Sequence, residues 1–138
     1  MPACQNLPQR QLRSGGVTLI ELVVTMVIVA ILAAVSYPSY QKYLKKGRRV
    51  AAQAHLMDLA QRQQEYLLNV RAYAASTAAL NATTPADVAS FYAIAITVDP
   101  TPPQSFTISA TPIASAAQAG DVVMTLDSAN VRSPAGEW

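Results

Sequence analysis

The feature that most constrains this chain is a long apolar run from Val17 to Tyr37, VTLIELVVTMVIVAILAAVSY. As a helix, its 21 residues would be roughly 31 Å long, close to the thickness of the hydrocarbon core of a bilayer. One acid, Glu21, lies within the run. A charged side chain near the centre of a bilayer costs on the order of 2.5–3.5 kcal/mol, so Glu21 is expected to have a partner or a function there.

The segments on either side of the run predict different roles. Residues 1–16 contain two arginines and no acid, show no hydrophobic periodicity and end in a glycine pair, which predicts a leader rather than a folded element. On the other side, Pro38 lacks an amide donor, and its ring would clash with the carbonyl of Ala34. We therefore predict that a continuous helix kinks or loosens near Pro38.

The second helical piece, residues 38–70, is amphipathic. Its apolar stripe is interrupted by one glutamine and has helical spacing: Ala52, Leu56, Leu59, Gln63, Tyr66 and Val70. Neither glycine nor proline occurs between Arg48 and Ala82, so one helix is expected to continue from residues 17–37 to about Val70. The stripe must then be covered by the region that follows it.

Residues 71–138 predict a small globular head. A connecting segment with a helical turn around 76–80 precedes three runs rich in β-branched and aromatic residues, at 91–98, 105–113 and 121–127. Turn-forming residues separate these runs, which predicts an antiparallel meander. The side chains of the first run expected to face the helix are Tyr92, Ile94, Ile96 and Val98. The predicted fold class is α+β, a long N-terminal helix packed on a small antiparallel sheet.

The charges are distributed unevenly along the chain. Five basic residues crowd into eight positions: Lys42, Lys45, Lys46, Arg48 and Arg49. From Val50 onward, three basic residues stand against seven acidic ones, so this part is acidic by four charges. That balance argues against general nucleic-acid binding by the C-terminal part and leaves a local basic patch open.

The residues do not form a catalytic constellation. The chain has one histidine, His55, one cysteine, Cys4, no glycine-rich phosphate loop and only scattered carboxylates. A packing or surface role is expected for His55, and Cys4 and His55 lack the clustered ligands of a structural zinc site. We therefore predict a protein that is not an enzyme and has no cofactor. The tryptophan Trp138 is expected to pack against the head because its ring offers a large apolar area.

The stretch SGGVTLIELVVTMVIVAILAAVSYPSY closely resembles the class III signal and N-terminal helix of type IV pilins. In that family a prepilin peptidase in the inner membrane cuts after the glycine of a basic leader, and the new N-terminus is methylated. The resemblance implies cleavage between Gly16 and Val17 and N-methylation of Val17. It also implies that the apolar helices pack in the centre of a filament, where Glu21 pairs with the N-terminal amine of a neighbouring subunit.

The next stretch, YQKYLKKGRRVAAQAHLMDLAQRQQEY, looks like the helix of minor pilins. The implied protein is a structural subunit of a type IV pilus that serves motility, adhesion or DNA uptake. Its implied partners are other pilins, the prepilin peptidase, the assembly platform in the inner membrane and membrane lipid; no nucleic-acid partner is demonstrated by the sequence.

The resemblance also implies an inner-membrane protein with its head in the periplasm, which later joins an extracellular pilus. The basic residues at 42–49 disagree with this orientation, because positive flanks usually stay in the cytoplasm. The peptidase acts on the cytoplasmic face, and this requirement favours the pilin orientation. Contact of the basic residues with anionic headgroups, or with acidic heads in the fibre, would offset the disagreement.

One departure from the family concerns the C-terminal segment. Comparable heads commonly close it with a disulfide, and the positions that align with those cysteines are Asp121 and Glu137. Two carboxylates placed together repel unless Arg132 or a cation lies between them. Asp121 and Glu137 are therefore weak candidates for binding a cation, and no metal is expected. The segment is expected to be less firmly fixed than in relatives with the disulfide.

Three alternatives to a pilin stay open at this point. A pseudopilin of a type II secretion system shares the same architecture. A secreted binding protein with an ordinary signal peptide would be cleaved after Ser36, although Glu21 inside the apolar region argues against it. A permanently anchored receptor for DNA or for a surface is the third, and the acidic head weakens its DNA version.

Overall fold

The computed structural model describes residues 16–138, so the predicted leader, apart from Gly16, lies outside the described residues. The chain divides into two compact units, the second of which comprises Ser39–Trp138. Helix α1 (Leu19–Val70) is 52 residues long and contains Pro38. The two helical pieces predicted from the sequence therefore form one element.

Both ends of α1 have a local cause. At its start, the hydroxyl of Thr18 accepts a hydrogen bond from the amide of Glu21 at 3.3 Å, as an N-terminal capping residue does. At its end, Val70 is followed by Arg71, whose φ of 61° lies in the left-handed region and stops the helical path. The predicted end at Val70 is confirmed.

The first unit contains the apolar part of α1. The large apolar side chains between Val17 and Val35 are 47–80% exposed. By length and composition α1 can cross a membrane, with a mean hydropathy of 2.7 over an 18-residue window. Apolar surface of this extent is stable in lipid or against other protein.

The second unit packs the remainder of α1 on a four-stranded antiparallel sheet. The strands lie side by side in chain order: β1 (Tyr92–Asp99), β2 (Ser105–Pro112), β3 (Met124–Asp127) and β4 (Arg132–Ser133). A short helix α2 (Ala86–Ala89) precedes β1, and a 3-10 turn (Ala135–Glu137) follows β4. The predicted α+β class is confirmed.

The register of the sheet places apolar side chains in rows. Ile96 lies opposite Ile108, which in turn lies opposite Leu126. In β1 the predicted inner residues are buried or half-buried, and the residues between them are exposed. This alternation confirms which face of β1 packs on the helix.

The buried face of α1 follows the predicted stripe for most of its length. Ala52, Leu56 and Leu59 are fully buried and belong to the same core as the inner side chains of the sheet. The stripe ends at half-buried Tyr66; Val70 is 52% exposed, so its prediction as a core residue is wrong. At Val70 the helix extends beyond the sheet that covers its earlier turns.

Gln63, the polar interruption of the stripe, has a structural role. Its side chain is fully buried, donates to the carbonyl oxygen of Ala74 at 2.7 Å and accepts from the amide of Ala74 at 2.8 Å. Both backbone groups of a buried residue are thereby satisfied. The bonds fix the segment that leaves α1. His55 is also buried, 3.3 Å from the hydroxyl of Thr84, which confirms a packing role for this histidine.

Three elements differ from the sequence predictions. The third strand begins at Met124 and not at residue 121, because Asp121 turns into a polar network described below. The two-residue strand β4 was not predicted, since two residues carry no alternation to detect. Helix α2 lies in a segment predicted as a connection, and its single turn follows Pro85.

We predict that Gln63→Ala lowers the free energy of unfolding of the head by about 2–4 kcal/mol, because it leaves the amide and the carbonyl of Ala74 buried without partners. Thermal unfolding of the detergent-solubilised chain, followed by circular dichroism, measures this. Gln64→Ala, at the exposed neighbouring position, is the control and should change the value by less than about 0.5 kcal/mol. Equal effects of the two substitutions would contradict the role of Gln63.

Candidate functional site

A buried carboxylate joins the loop before β3 to α1 and β1. The side chain of Asp121 is 5% exposed and pairs with the guanidinium of Arg49. It also accepts hydrogen bonds from the hydroxyl of Tyr92 at 2.8 Å and from the side-chain amide of Gln118. Gln118 donates in addition to the carbonyl oxygen of Lys45 at 3.2 Å. We call Arg49, Tyr92, Gln118 and Asp121 the Asp121 network.

The network shifts the pKa values of its members in the directions that its geometry requires. Burial by itself would raise the pKa of Asp121, but the hydrogen bonds from Arg49, Gln118 and Tyr92 outweigh burial and lower it to about 2. Burial and the bond to Asp121 raise the pKa of the Tyr92 hydroxyl, and the same carboxylate raises that of Arg49. The network therefore holds one carboxylate and one guanidinium, both charged, throughout the physiological range.

A basic cleft lies beside this network, within the second unit. Its volume is about 480 Å³. One wall is a face of α1 and the other is the C-terminal segment; the lining residues are Lys42, Lys45, Lys46, Arg49, Val50, Gln53, Gly136 and Trp138. We call it the cationic cleft. The side chains of Lys42 and Lys46 are exposed, whereas Lys45 donates to the carbonyl oxygen of Ala119 at 3.4 Å. A cleft lined by four cationic side chains, two of them with exposed ammonium groups, has the charge needed to bind a polyanion.

The fifth basic residue of the cluster has a different environment. The guanidinium of Arg48 lies 4.1 Å from the centre of the Phe91 ring. This cation–π contact holds Arg48 at the head. The charge count along the sequence located the basic residues, but the structure separates Arg48 from the four that line the cleft.

A second cleft, of about 360 Å³, lies further along α1. Its floor is apolar, with Met57, Phe106 and Leu126, and its other lining residues are Ala60, Gln61, Gln64, Asp127, Ser128, Asn130 and Arg132. We call it the amide cleft. Sequence reasoning did not find it, because its second wall is the turn between β3 and β4. The exposed glutamines at 61 and 64 were the available signal.

The two clefts adjoin along one face of α1. Their helical positions, 42, 46, 49, 53, 57, 60 and 64, are separated by three or four residues and so share that face. The guanidinium of Arg132 in the amide cleft lies 5.4 Å from the centre of the Trp138 ring in the cationic cleft. Trp138 is half-buried against the core, as predicted, and its indole donates to the carbonyl oxygen of Ser133 at 3.1 Å.

The site residues predicted from the sequence lie in different parts of the molecule. Glu21 is exposed in the first turn of α1, in the first unit, as are Gly16 and Val17 before it. Pro38 lies within α1 at the boundary between the units. The cation beside Asp121 is Arg49 and not Arg132.

The side chain of Glu137 lies outside the described part of the structure. Among residues 16–138, no group of three or more His, Cys, Asp or Glu residues is placed to hold a metal ion.

Comparison with known proteins gives the class first. A family model described as the prokaryotic N-terminal methylation motif matches residues 12–37. A solved structure, "High-Resolution Structure of a Type IV Pilin from Shewanella oneidensis", is similar to this chain: 27% identity, a TM-score of 0.50, and coverage of 66% of this chain and 92% of that one. The motif and the fold define a type IV pilin.

The particular family follows from a second family model, described as "Type IV minor pilin ComP, DNA uptake sequence receptor", which matches residues 38–122. The match covers more than half of the chain, and the chain belongs to this family. No curated protein matches it in sequence. The membership confirms the predicted minor pilin, a structural and non-enzymatic subunit, in preference to a secretion pseudopilin or an ordinary secreted protein.

We predict that Asp121→Asn removes part of the acid dependence of stability. The pKa of Asp121 is about 2 in the folded chain against 3.8 for the free group, so its stabilisation is complete above about pH 5 and is lost as the pH falls toward 2. The lost stability is on the order of 2 kcal/mol. Circular dichroism melts across this pH range measure it, with Asp87→Asn, at an exposed position, as the control. The same acid dependence in wild type and Asp121→Asn would contradict the prediction.

Proposed function

We propose that this minor pilin is made as a precursor, cut between Gly16 and Val17, methylated on Val17 and built into a filament through α1. The match to the N-terminal methylation motif over residues 12–37 supports the cut and the modification. Removal of residues 1–16 places Glu21 fifth in the mature chain, in the first turn of the helix. The peptidase, the assembly platform and neighbouring pilins are its partners in this sequence of events.

Glu21 gives the assembly its register. In a filament the exposed apolar side chains of α1 are buried against neighbouring helices, so an acid among them needs a counter-charge. The N-terminal amine of a neighbour supplies it. Removal of one partner of a buried pair leaves an uncompensated charge at a cost of roughly 3–5 kcal/mol. A subunit one step out of place would bury both charges unpaired, so the correct stagger is the stable one.

The proposed location follows the same order of events. The precursor inserts in the inner membrane with its leader on the cytoplasmic side and its head in the periplasm, and the assembled subunit belongs to an extracellular pilus. The apolar part of α1 supports the membrane stage. Pro38, at the boundary between the two units, is the proposed point at which the helix yields when the filament is stretched.

We predict that Glu21→Gln lowers recovery of the chain in sheared fibres by about 100-fold or more, because the neighbour's amine then lacks its counter-charge. The chain recovered from wild-type fibres should begin at Val17 by intact mass. Glu65→Gln, an exposed position on the same helix, is the control and should assemble normally. A glutamine variant that enters fibres as readily as the parent would refute the pairing, and an N-terminus at Tyr37 would refute the processing.

We further propose that the pilin binds DNA in the cationic cleft. Membership of a family described as a DNA uptake sequence receptor carries this proposal. The cleft supports it physically, since its lining gathers four cations and includes no acidic residue among those described, and the adjacent carboxylate of Asp121 is paired with Arg49. The acidic excess after Val50 argues only against general nucleic-acid binding by the C-terminal part. It does not exclude a local basic patch, and the basic residues of the cationic cleft lie on α1.

The lysines are expected to contact phosphates. Each phosphate contact releases counterions, so log K falls with log salt concentration by about 0.9 per contact. Lys42 and Lys46 are suitable for a test, because they are exposed and stand outside the Asp121 network. Arg49 and Lys45 are unsuitable, because both also hold the loop before β3.

We predict that the double variant Lys42→Gln, Lys46→Gln weakens binding of a random-sequence duplex and lowers the salt slope by about 2. Fluorescence anisotropy of a labelled duplex, titrated at several salt concentrations with the mature chain in detergent, measures both. The control, Arg62→Gln with Arg71→Gln, removes the same charge outside the cleft. Equal losses in the two double variants would show that net charge alone is responsible and would contradict a site in the cleft.

A further inference from the structure

We propose that the amide cleft recognises the base sequence of a DNA duplex whose phosphates are held in the cationic cleft. The inference rests on the proposed function and divides it between the two clefts: affinity in the cationic cleft and sequence discrimination in the amide cleft.

The rim of the amide cleft carries side chains of the types that pair with bases. Gln61, Gln64, Asn130 and Arg132 are all exposed and line the amide cleft. Glutamine and asparagine amides pair bidentately with adenine, and an arginine guanidinium pairs bidentately with guanine. Lysine, the usual phosphate contact, is absent from this part of the lining. The two clefts thus differ as specific and non-specific DNA contacts differ.

The acid in the cleft wall, Asp127, shapes the adjoining turn. One of its carboxylate oxygens accepts hydrogen bonds from the amides of Ala129 and Val131, at 2.9 and 2.8 Å. These bonds shape the turn that carries Asn130, whose φ is 61°. Asp127 therefore positions the side-chain amide of Asn130 at the amide cleft.

The placement of Arg132 also favours base recognition. Its guanidinium lies over the ring of Trp138 and contacts the sulfur of Met57 at 3.8 Å. Stacking of this kind holds a long side chain in one orientation, which lowers the entropy cost of a bidentate contact. The apolar floor of the cleft, with Phe106 and Leu126, offers a surface of the kind that contacts the methyl group of thymine.

The length of the helix face that the two clefts share matches one turn of DNA. From Lys42 to Gln64 the shared face of α1 extends 22 residues, roughly 33 Å at 1.5 Å per residue. One turn of B-form DNA is roughly 34 Å. A duplex lying along α1 would reach both clefts within one turn, so the same short site can be gripped by its backbone and recognised by its bases.

The experiment selects duplexes from a pool with 20 randomised base pairs by binding to the mature full-length chain in detergent. The affinity for the enriched duplex is then compared with that for a shuffled version. Wild type should prefer the enriched duplex, and Gln64→Ala with Asn130→Gly should lower the preference by about 10-fold or more with little change for the shuffled duplex. Glycine tolerates the positive φ at position 130, so the variant keeps its fold.

The matched control is Gln104→Ala with Asn81→Gly. It removes the same residue types from exposed positions outside both clefts, and Asn81 also has a positive φ, of 48°. This variant should keep the full preference. The lysine double variant should weaken both duplexes by the same factor and leave the preference unchanged.

Three results would overturn the inference. If DNA binds through the lysines but no sequence is enriched, base recognition is wrong and the proposed function stands. If the Gln64 and Asn130 variant weakens both duplexes equally, or lowers entry into fibres while the preference persists, the amide cleft is a general or subunit contact. If the mature chain binds no duplex, both the inference and the DNA-binding proposal fail.

Discussion

The pairing of Asp121 with Arg49 is the interaction on which the form of the head depends. These residues are 72 positions apart in the chain, and their contact brings the loop before β3 against the middle of α1. Hydrogen bonds from Tyr92 and Gln118 to the same carboxylate extend the connection to β1 and to the backbone of Lys45. A buried charge held by several donors is costly to break, because loss of one partner leaves the other desolvated. The network thereby fixes the loop before β3, at one of the two positions where the resemblance to pilins implied a disulfide.

The same pairing shapes the cationic cleft. Arg49 contributes both to the network and to the lining of the cationic cleft, so the salt bridge that holds the loop also sets one cation in the wall. Basic and acidic residues are separated along the chain: basic residues are concentrated on α1 just after its apolar part, and acidic residues predominate beyond Val50. Such a separation concentrates positive potential in one place on a chain with little net charge, which favours a local polyanion contact over general adhesion to nucleic acid.

Much of the fold was predictable because its signals are local. The apolar run, the stripe from Ala52 to Tyr66 and the alternation in β1 each follow from periodicity over a few turns or residues. Predictions failed where distant contacts decide the structure. Residues 121–123 have the composition of a strand, but Asp121 is drawn to a guanidinium on α1, so β3 starts three residues later. In the candidate site, the lysines were predictable from the charge distribution along the sequence. The cleft walls formed by residues 128–138 were not, because their position depends on the packing of the whole head.

The position of Trp138 has an optical consequence. It is the sole tryptophan of the chain, and its indole lines the cationic cleft while Arg132 stacks on its ring. Its emission spectrum therefore originates from a single place at the junction of the two clefts. A molecule that enters either one alters the polarity around that indole or displaces the guanidinium above it, so the unlabelled pilin carries its own fluorescent reporter of occupancy.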